Sequence, residues 1–284
     1  MEKRKLRKII IPSFLVIGVL LVFFGYILFG SSTIPAQLHI ESGDVLVNSK
    51  IAENDLKLKK GDLIETKENS LATIILYESV IVNLEPSTSI NVDELTKDHP
   101  KLSQLAGETW NTFTKLSGVK SYSLKTGHTI ASVRSTSFGL KKGYILGGEG
   151  EINYKVGEEE FLVNKLKVIE ELNEEILQRN ASEIEIEKIK ERMQRAVKEL
   201  KRVREKELER NPLLVKLIKL KTGLNDEELR IYLGDIDDEK IDLDDLVNQS
   251  PIQTASIDKI ANITRAIQKI KREIVGLNGQ TLSS

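Results

Sequence analysis

Residues 71–92 read LATIILYESVIVNLEPSTSINV, and this stretch decides the fold class because its apolar side chains recur in short runs. Val80, Val82 and Leu84 alternate with other residues, so they share one face of an extended chain. Ile90 and Val92 continue the same period of two. The stretch therefore predicts consecutive strands at about 71–77, 80–84 and 88–92.

Similar apolar runs flank this stretch on both sides, separated by Gly, Asn, Asp and Ser. They fall at 44–48, 62–66, 119–125, 129–133, 144–146 and 151–156. Residues 95–118 are more polar, and we expect a looser segment there. Turn residues that recur every ~8–12 positions are typical of all-β sandwiches and barrels. We therefore predict a β domain over residues 38–165.

This β region also carries a series of short motifs in a fixed order. They are Gly43-Asp44-Val45, Leu58-x-x-Gly61-Asp62-x-Ile64-x-Thr66, Ser70-x-Ala72-x-Ile74-x-Leu76, Val80-x-Val82-x-Leu84-x-Pro86-x-Thr88-x-Ile90, Leu105-x-Gly107-Glu108 and ASVRSTSF at 131–138. Over residues 40–165 this order resembles the FecR domain, a β module of extracytoplasmic sensor and surface proteins. The resemblance implies a binding or signalling module whose structural motif positions are Gly61, Asp62, Thr66, Arg134, Thr136 and Phe138.

The physical roles expected at these positions are structural. Gly61-Asp62 suits a tight turn, because Gly tolerates positive φ and Asp can bond nearby backbone. Arg134 could contact a ligand, or its guanidinium could tie neighbouring loops together, and the second role is favoured. The sequence departs from the family pattern at two turns. Glu78-Ser79 stands where the family usually has an Asp-Gly-Ser turn, and Ser135 stands where it usually has the Gly of an Arg-Gly-Thr motif. They indicate altered loop geometry rather than a lost fold.

From about residue 164 the apolar period becomes helical. The predicted helices cover about 165–179, a span from a cap at Asn180 to Arg210, a short helix from Asn225 to a stop at Gly234, and a last helix from Ser250-Pro251. Residues 166–284 are therefore predicted to be a charged helical bundle or coiled coil, which makes the whole chain α+β.

Two apolar seams in this helical region, at 186–203 and 260–274, have the alternating three-and-four spacing of paired helices. The seams can bury each other within one chain, or they can pair between chains in a homo-oligomer. Packing within one chain is favoured, because both seams are short for an autonomous coiled coil.

The N-terminal segment predicts a membrane anchor. The stretch from Ile9 to Phe29 has 21 residues and no charge, and about 20 apolar residues suffice to cross a bilayer. Five Lys or Arg residues lie in the basic tail 1–8, and none follows until Lys50. The positive-inside rule then places the tail in the cytoplasm and, after a spacer at 30–37, the bulk of the chain outside it. A cleaved signal peptide is the alternative, disfavoured by the long apolar core and a poor cleavage site.

Neither the composition nor the motifs of the chain indicate a catalytic, metal-binding or nucleic-acid-binding site. The net charge of -1 gives no reason to expect nucleic acid, and the absence of cysteine excludes disulfides and thiolate metal sites. His39, His99 and His128 are scattered, and Asp235-x-Asp237-x-Glu239 begins like a calcium loop but lacks its Gly and its final Glu. With neither a phosphate loop nor a nucleophile elbow, we predict no cofactor, no metal and no enzymatic activity.

The leading functional hypothesis is a single-pass membrane protein that presents its FecR-like domain to a protein partner or envelope ligand outside the cytoplasm. The family's best-known members sense an outer-membrane transporter and regulate a sigma factor through a cytoplasmic domain. The tail 1–8 is too short for such a domain, which argues against direct sigma-factor control. The alternative is a structural envelope subunit that oligomerises through 186–203 and 260–274.

Overall fold

A computed structural model describes residues 34–116, 118–133, 136–173, 175–248 and 254–280. The predicted membrane segment from Ile9 to Phe29 lies outside these residues, as does Arg134. Within the described ranges, no helix combines the length and the apolar character needed to cross a membrane. The described residues are mostly β-sheet and end in a helical region, so the fold is α+β.

Two stacked sheets form the β part. In spatial order, the eight described strands of sheet A are β1 Ala36–Ser42, β5 Leu71–Leu76, β6 Val80–Leu84, β9 Glu108–Phe113, β12 Ser137–Lys141, β13 Tyr144–Glu149, β16 Lys167–Leu172 and β17 Glu175–Asn180. The nine of sheet B are β15 Glu159–Val163, β14 Ile152–Val156, β11 Thr129–Val133, β10 Tyr122–Thr126, β8 Lys101–Ala106, β7 Ser89–Glu94, β4 Leu63–Thr66, β2 Val45–Val47 and β3 Lys50–Ile51. Strands β8 and β10 pair in parallel, and the other described neighbours are antiparallel.

The first apolar core lies between the two sheets. Ile74 and Val82 of sheet A share one buried cluster with Ile90, Tyr122 and Ile152 of sheet B. Each of these side chains is fully buried, and such burial is worth roughly 1.5–3 kcal/mol for a large apolar side chain. The β part is therefore a sandwich, one of the two architectures that the strand pattern left open.

Helices follow the sandwich and cover sheet A. They are α1 Glu183–Arg210, α2 Pro212–Thr222, α3 Asp226–Asp237, α4 Leu243–Asn248 and α5 Ala255–Gln280. Lys259 at the start of α5 bonds Glu207 near the end of α1 at 2.7 Å, and Thr264 accepts a bond from Arg204 at 3.0 Å. These contacts make α1 and α5 antiparallel neighbours.

A second apolar core joins this helix pair to sheet A. Ile81 and Trp110 of the sheet lie in one buried cluster with Met193 of α1 and Ile267 of α5. The two predicted seams therefore bury each other and the outer face of sheet A within one chain. This is the alternative that the shortness of the seams favoured. The molecule has three layers, with sheet A in the middle.

The prediction of a helix over 165–179 is wrong, because this segment forms β16 and β17. Its Glu and Lys residues are good helix formers, but tertiary packing overrides that preference. Val168 faces the helices and Ile169 faces the sandwich core, so consecutive residues are buried on opposite faces. Asn173, with a left-handed φ of 53°, allows the turn between the two strands.

The expectation of a looser segment over 95–118 is also wrong, since β8 and β9 lie there. The two strands were not recognised in the sequence because they contain polar residues that are buried and hydrogen-bonded to each other or to neighbouring strands. Thr109 donates to the Gln104 side chain at 2.9 Å, and Asn111 accepts a bond of 2.9 Å from the Tyr122 hydroxyl. Buried polar groups are tolerated when they are paired in this way.

Helix ends were predicted with mixed success. The break at Asn211-Pro212 is confirmed, and Asn225 caps α3 by accepting from the backbone of Glu227 at 2.9 Å. The cap of α1 is Ser182 in a capping box with Glu185, not Asn180. The predicted stop at Gly234 is wrong, because α3 continues to Asp237. The predicted start at Ser250-Pro251 lies outside the described residues.

Candidate functional site

Gly61 and Asp62 lie in the turn that leads into β4. Gly61 has a φ of 87°, which favours glycine, and its N–H donates to the Val92 carbonyl at 2.7 Å. The Asp62 carboxylate accepts from the Lys59 backbone at 2.7 Å and from the Asn48 side chain at 2.9 Å. These two positions fix a turn of sheet B.

The other motif positions lie elsewhere in the sandwich. Thr66 is buried and donates to the Glu85 carbonyl at 2.7 Å, which ties the end of β4 to the turn before β7. Thr136 and Phe138 are buried, and Phe138 belongs to the core between the sheets. The motif residues are therefore distributed over both sheets and do not meet in one pocket. Arg134 lies outside the described residues.

The outer face of sheet A, which we call the covered face, lies under α1 and α5. Its buried side chains are Ile75, Ile81, Trp110, Tyr144, Leu146 and Val168. Trp110 is fully buried, and an added Cβ at Gly148 would lie 2.6 Å from its indole ring. Glycine at that position therefore makes room for the indole.

Ion pairs border the covered face. Arg195 of α1 donates to Glu41 at 2.9 Å and to Glu85 at 2.7 Å. Burial alone would raise the pKa of the Glu41 carboxyl, but the bonds and charge of Arg195, with a bond from Thr73, hold the pKa below its usual range. Arg192 lies over Trp110 and pairs with Glu108 at 2.7 Å.

Two further charged clusters fix the helices on the sheet. Lys259 lies between Glu78 of the β5–β6 turn and Glu207 of α1, at 2.5 and 2.7 Å. Arg179 of β17 lies beside Glu185 in the first turn of α1. Its hydrogen bonds hold the pKa of the Glu185 carboxyl well below its usual range, against the opposing effect of burial. Burial and the hydrogen bond to Glu185 raise the pKa of Tyr144. The covered face is thus committed to contacts within the chain.

The outer face of sheet B, which we call the open face, is exposed to solvent. The half-buried or exposed side chains in its central strands are Asn91, Asp93, Ser103, Leu105, Ser123, Lys125, Ile130 and Ser132. Asp93 accepts from Asn91 at 2.6 Å and from Ser103 at 2.5 Å. Leu105 and Ile130 add apolar area and are 64% and 37% exposed. This face therefore combines polar groups with exposed apolar area.

Two grooves lie beside the helices. One of about 440 Å³ runs between α1, α2 and α3, where the buried Arg204 pairs with Asp237 at 2.5 Å. The other, of about 330 Å³, lies between the end of β9 and α5 and is bordered by Lys115, Arg265 and Lys269. None of the motif residues that the structure describes lines either groove.

The residues considered for metal binding are held apart. His39 contacts Asn54, His99 contacts Ser121, and His128 contacts Glu171. In the acidic segment, Asp237 pairs with Arg204 and Asp235 with Lys240. Across the described part of the chain, no three His, Asp or Glu side chains are grouped as a metal site requires.

The fold and these faces define a β-sandwich module that carries its own helical cover. Residues 62–156 match the family model described as "FecR protein", which confirms the FecR resemblance predicted from the motif order. No curated protein matches the chain.

Similar solved structures include two of a "putative anti-sigma factor" from Parabacteroides distasonis ATCC 8503, each at 18% identity with a TM-score of 0.38. Each alignment covers 42% of this chain and 60% of that chain. The present chain thus spans less than two thirds of the length of that protein.

Proposed function

We propose that this protein is a single-pass membrane protein that presents its FecR domain outside the cytoplasm as a non-catalytic binding or signalling module. The observation that carries the proposal is the FecR match over residues 62–156. The uncharged stretch from Ile9 to Phe29, with basic residues concentrated on its N-terminal side, supports the anchor and its orientation.

The binding surface for a protein partner is the open face of sheet B. Sheet A cannot offer its outer face, because α1 and α5 already bury it. The open face combines the Asp93 cluster with the apolar side chains of Leu105 and Ile130. Such a mixture of polar and apolar area is ordinary for a reversible protein interface.

Orientation in the membrane can be tested with single cysteines, since the chain has none of its own. A membrane-impermeant maleimide should label Lys125→Cys in intact spheroplasts. The same reagent should label Glu2→Cys only after the membrane is permeabilised. Labelling of Glu2→Cys in intact spheroplasts, with Lys125→Cys protected, would contradict the orientation.

Partner binding can be tested by photo-cross-linking in the intact envelope. A photoreactive amino acid at Leu105 should yield a discrete adduct with another protein. Val275, on α5, is 68% exposed and provides the matched control away from the open face. Equal adducts at both positions, or none at Leu105, would contradict binding at the open face.

A further inference from the structure

Helix α2, Pro212–Thr222, is an apolar helix that the molecule leaves on its surface. Its sequence is PLLVKLIKLKT, and none of its residues is buried. Leu213, Leu217 and Leu220 are 49%, 48% and 72% exposed. Because they are spaced by four and three residues, these leucines share one face of the helix. A surface helix normally turns such a face towards a core.

The opposite side of α2 already contacts the rest of the protein. Leu214, Val215 and Ile218 are half-buried, and Val215 lines the groove shared with α1 and α3. Repacking α2 to bury its exposed leucines would therefore expose this other apolar side. The outward leucines need a partner from outside the described fold.

Lysines flank the leucine face on both sides. Residues advance by about 100° around a helix axis, which places the exposed Lys216 on one side of the leucines and the exposed Lys221 on the other. Lys219, further round, pairs with Asp226. An apolar face bordered by lysines is the pattern of helices that lie in the membrane interface, where lysine stems extend to the headgroups.

The position of α2 in the fold brings it close to the predicted anchor. Ile34, where the described chain begins, lines the same small cavity as Arg210, and α2 starts two residues after Arg210. Four residues separate Ile34 from Phe29, the end of the apolar stretch. An extended chain spans at most ~3.6 Å per residue, so Ile34 lies within about 18 Å of Phe29.

We infer that α2 is an interfacial membrane helix, with Leu213, Leu217 and Leu220 buried among the lipids and Lys216 and Lys221 on anionic headgroups. The inference rests on the membrane anchor of the proposed function, which brings α2 to the bilayer. It goes further by assigning the membrane a second contact, which holds the sandwich in a fixed orientation instead of letting it swing on the spacer.

The test uses the full-length chain reconstituted into vesicles of phosphatidylcholine and phosphatidylglycerol. Single cysteines at Leu217, Val275 and Leu20 carry a fluorophore, and brominated phosphatidylcholine serves as the quencher. Val275 lies 19 residues beyond Ser256, which bonds Asn211 next to α2, so it is about 28 Å further along α5. Circular dichroism checks that each variant is folded.

Brominated lipid should cause a loss of fluorescence at Leu217→Cys and Leu20→Cys and leave Val275→Cys unchanged. Changing Lys216 and Lys221 together to Gln should reduce the loss at Leu217→Cys. A Leu217→Cys signal as unaffected as that of Val275→Cys, with Leu20→Cys quenched, overturns the interfacial helix and leaves the anchor standing. Quenching at Leu217→Cys without Leu20→Cys supports α2 and overturns the anchor. Equal quenching at Leu217 and Val275 overturns the inference as unspecific lipid adsorption, and no quenching at any position overturns both proposals.

Discussion

Sheets A and B belong to one sandwich, but they have different outer faces. All five residues of β6, VIVNL, are buried. In β14 the buried Ile152, Tyr154 and Val156 alternate with the exposed Asn153 and Lys155. Continuous apolar strands are typical of sheets covered on both sides, and alternation is typical of sheets with one wet face. The difference teaches that α1 and α5 complete sheet A and are not a separate appendage.

The largest loss of stability is expected from a substitution among the fully buried side chains of the covered face. Trp110→Ala should lower the free energy of unfolding by ~3–5 kcal/mol, because it empties a large volume between sheet A and the helices. The matched change on the open face is Leu105→Ala, which should cost at most ~0.5 kcal/mol. Urea unfolding of both variants measures the difference. Similar losses in the two variants would show that the faces do not differ in burial.

The next largest loss of stability is expected when an ion pair at the border of the covered face is removed. Arg195→Met removes the ion-pair partner of the half-buried Glu41 and leaves Glu85 with only the longer contact to Arg192, at 3.5 Å. We expect a loss of ~1.5–3 kcal/mol in the free energy of unfolding. Lys125→Met on the open face removes an exposed cation and should change stability by less than ~0.5 kcal/mol. A loss at Arg195 no larger than that at Lys125 would contradict a structural role for the border pairs.

The same pair predicts a pH dependence. The folded protein holds the pKa of Glu41 below its ordinary value of 4.5. The stabilisation is therefore complete above that ordinary value and is lost as the pH falls through the lower folded pKa. Arg195→Met lacks most of this stabilisation, so its deficit relative to wild type should shrink on acidification from pH 7. Urea midpoints measured from pH 7 to pH 3 provide the check, and a deficit independent of pH would assign the loss to side-chain packing.

Much of the sandwich could be predicted from the sequence, because most strands of sheet B have one solvent-exposed face and alternate plainly, β8 being an exception. The FecR resemblance could also be found, since its motif residues are turn and core positions with strong local preferences. Gly61 with its positive φ is one such position.

Beyond β5 and β6, sheet A was harder to predict, because its signals depend on contacts that are distant in the chain. In β16, Val168 and Ile169 are both buried, which removes the alternation that marks a strand. In β9, the buried Thr109 and Asn111 look like loop residues until Gln104 and Tyr122 are seen to pair with them. The open face could not be recognised either, since its scattered polar residues meet only when the strands align.

A smaller effect is expected where the chain leaves sheet A and enters α1. Ser182→Ala removes the side chain that caps the helix and pairs with Glu185, and we expect a loss of ~1 kcal/mol in the free energy of unfolding. Asn180, the cap suggested by the sequence, instead accepts a solvent-exposed bond of 2.7 Å from the half-buried Lys167. Asn180→Ala should therefore cost less than ~0.5 kcal/mol. Thermal unfolding that ranks Asn180→Ala above Ser182→Ala would contradict the observed cap.

The smallest effect should come from Ile130 on the open face. Ile130 lies between Lys125 of β10 and Lys155 of β14 in the strand register. Lysine stems at these positions can cover part of its side chain. Ile130→Thr keeps a β-branched residue suited to a strand, so the free energy of unfolding should change by less than ~0.5 kcal/mol. A urea-unfolding loss above ~1 kcal/mol would mean that this face is covered in solution, and sheets A and B would then no longer differ. With stability unchanged, any loss of the Leu105 cross-link caused by Ile130→Thr belongs to binding and not to folding.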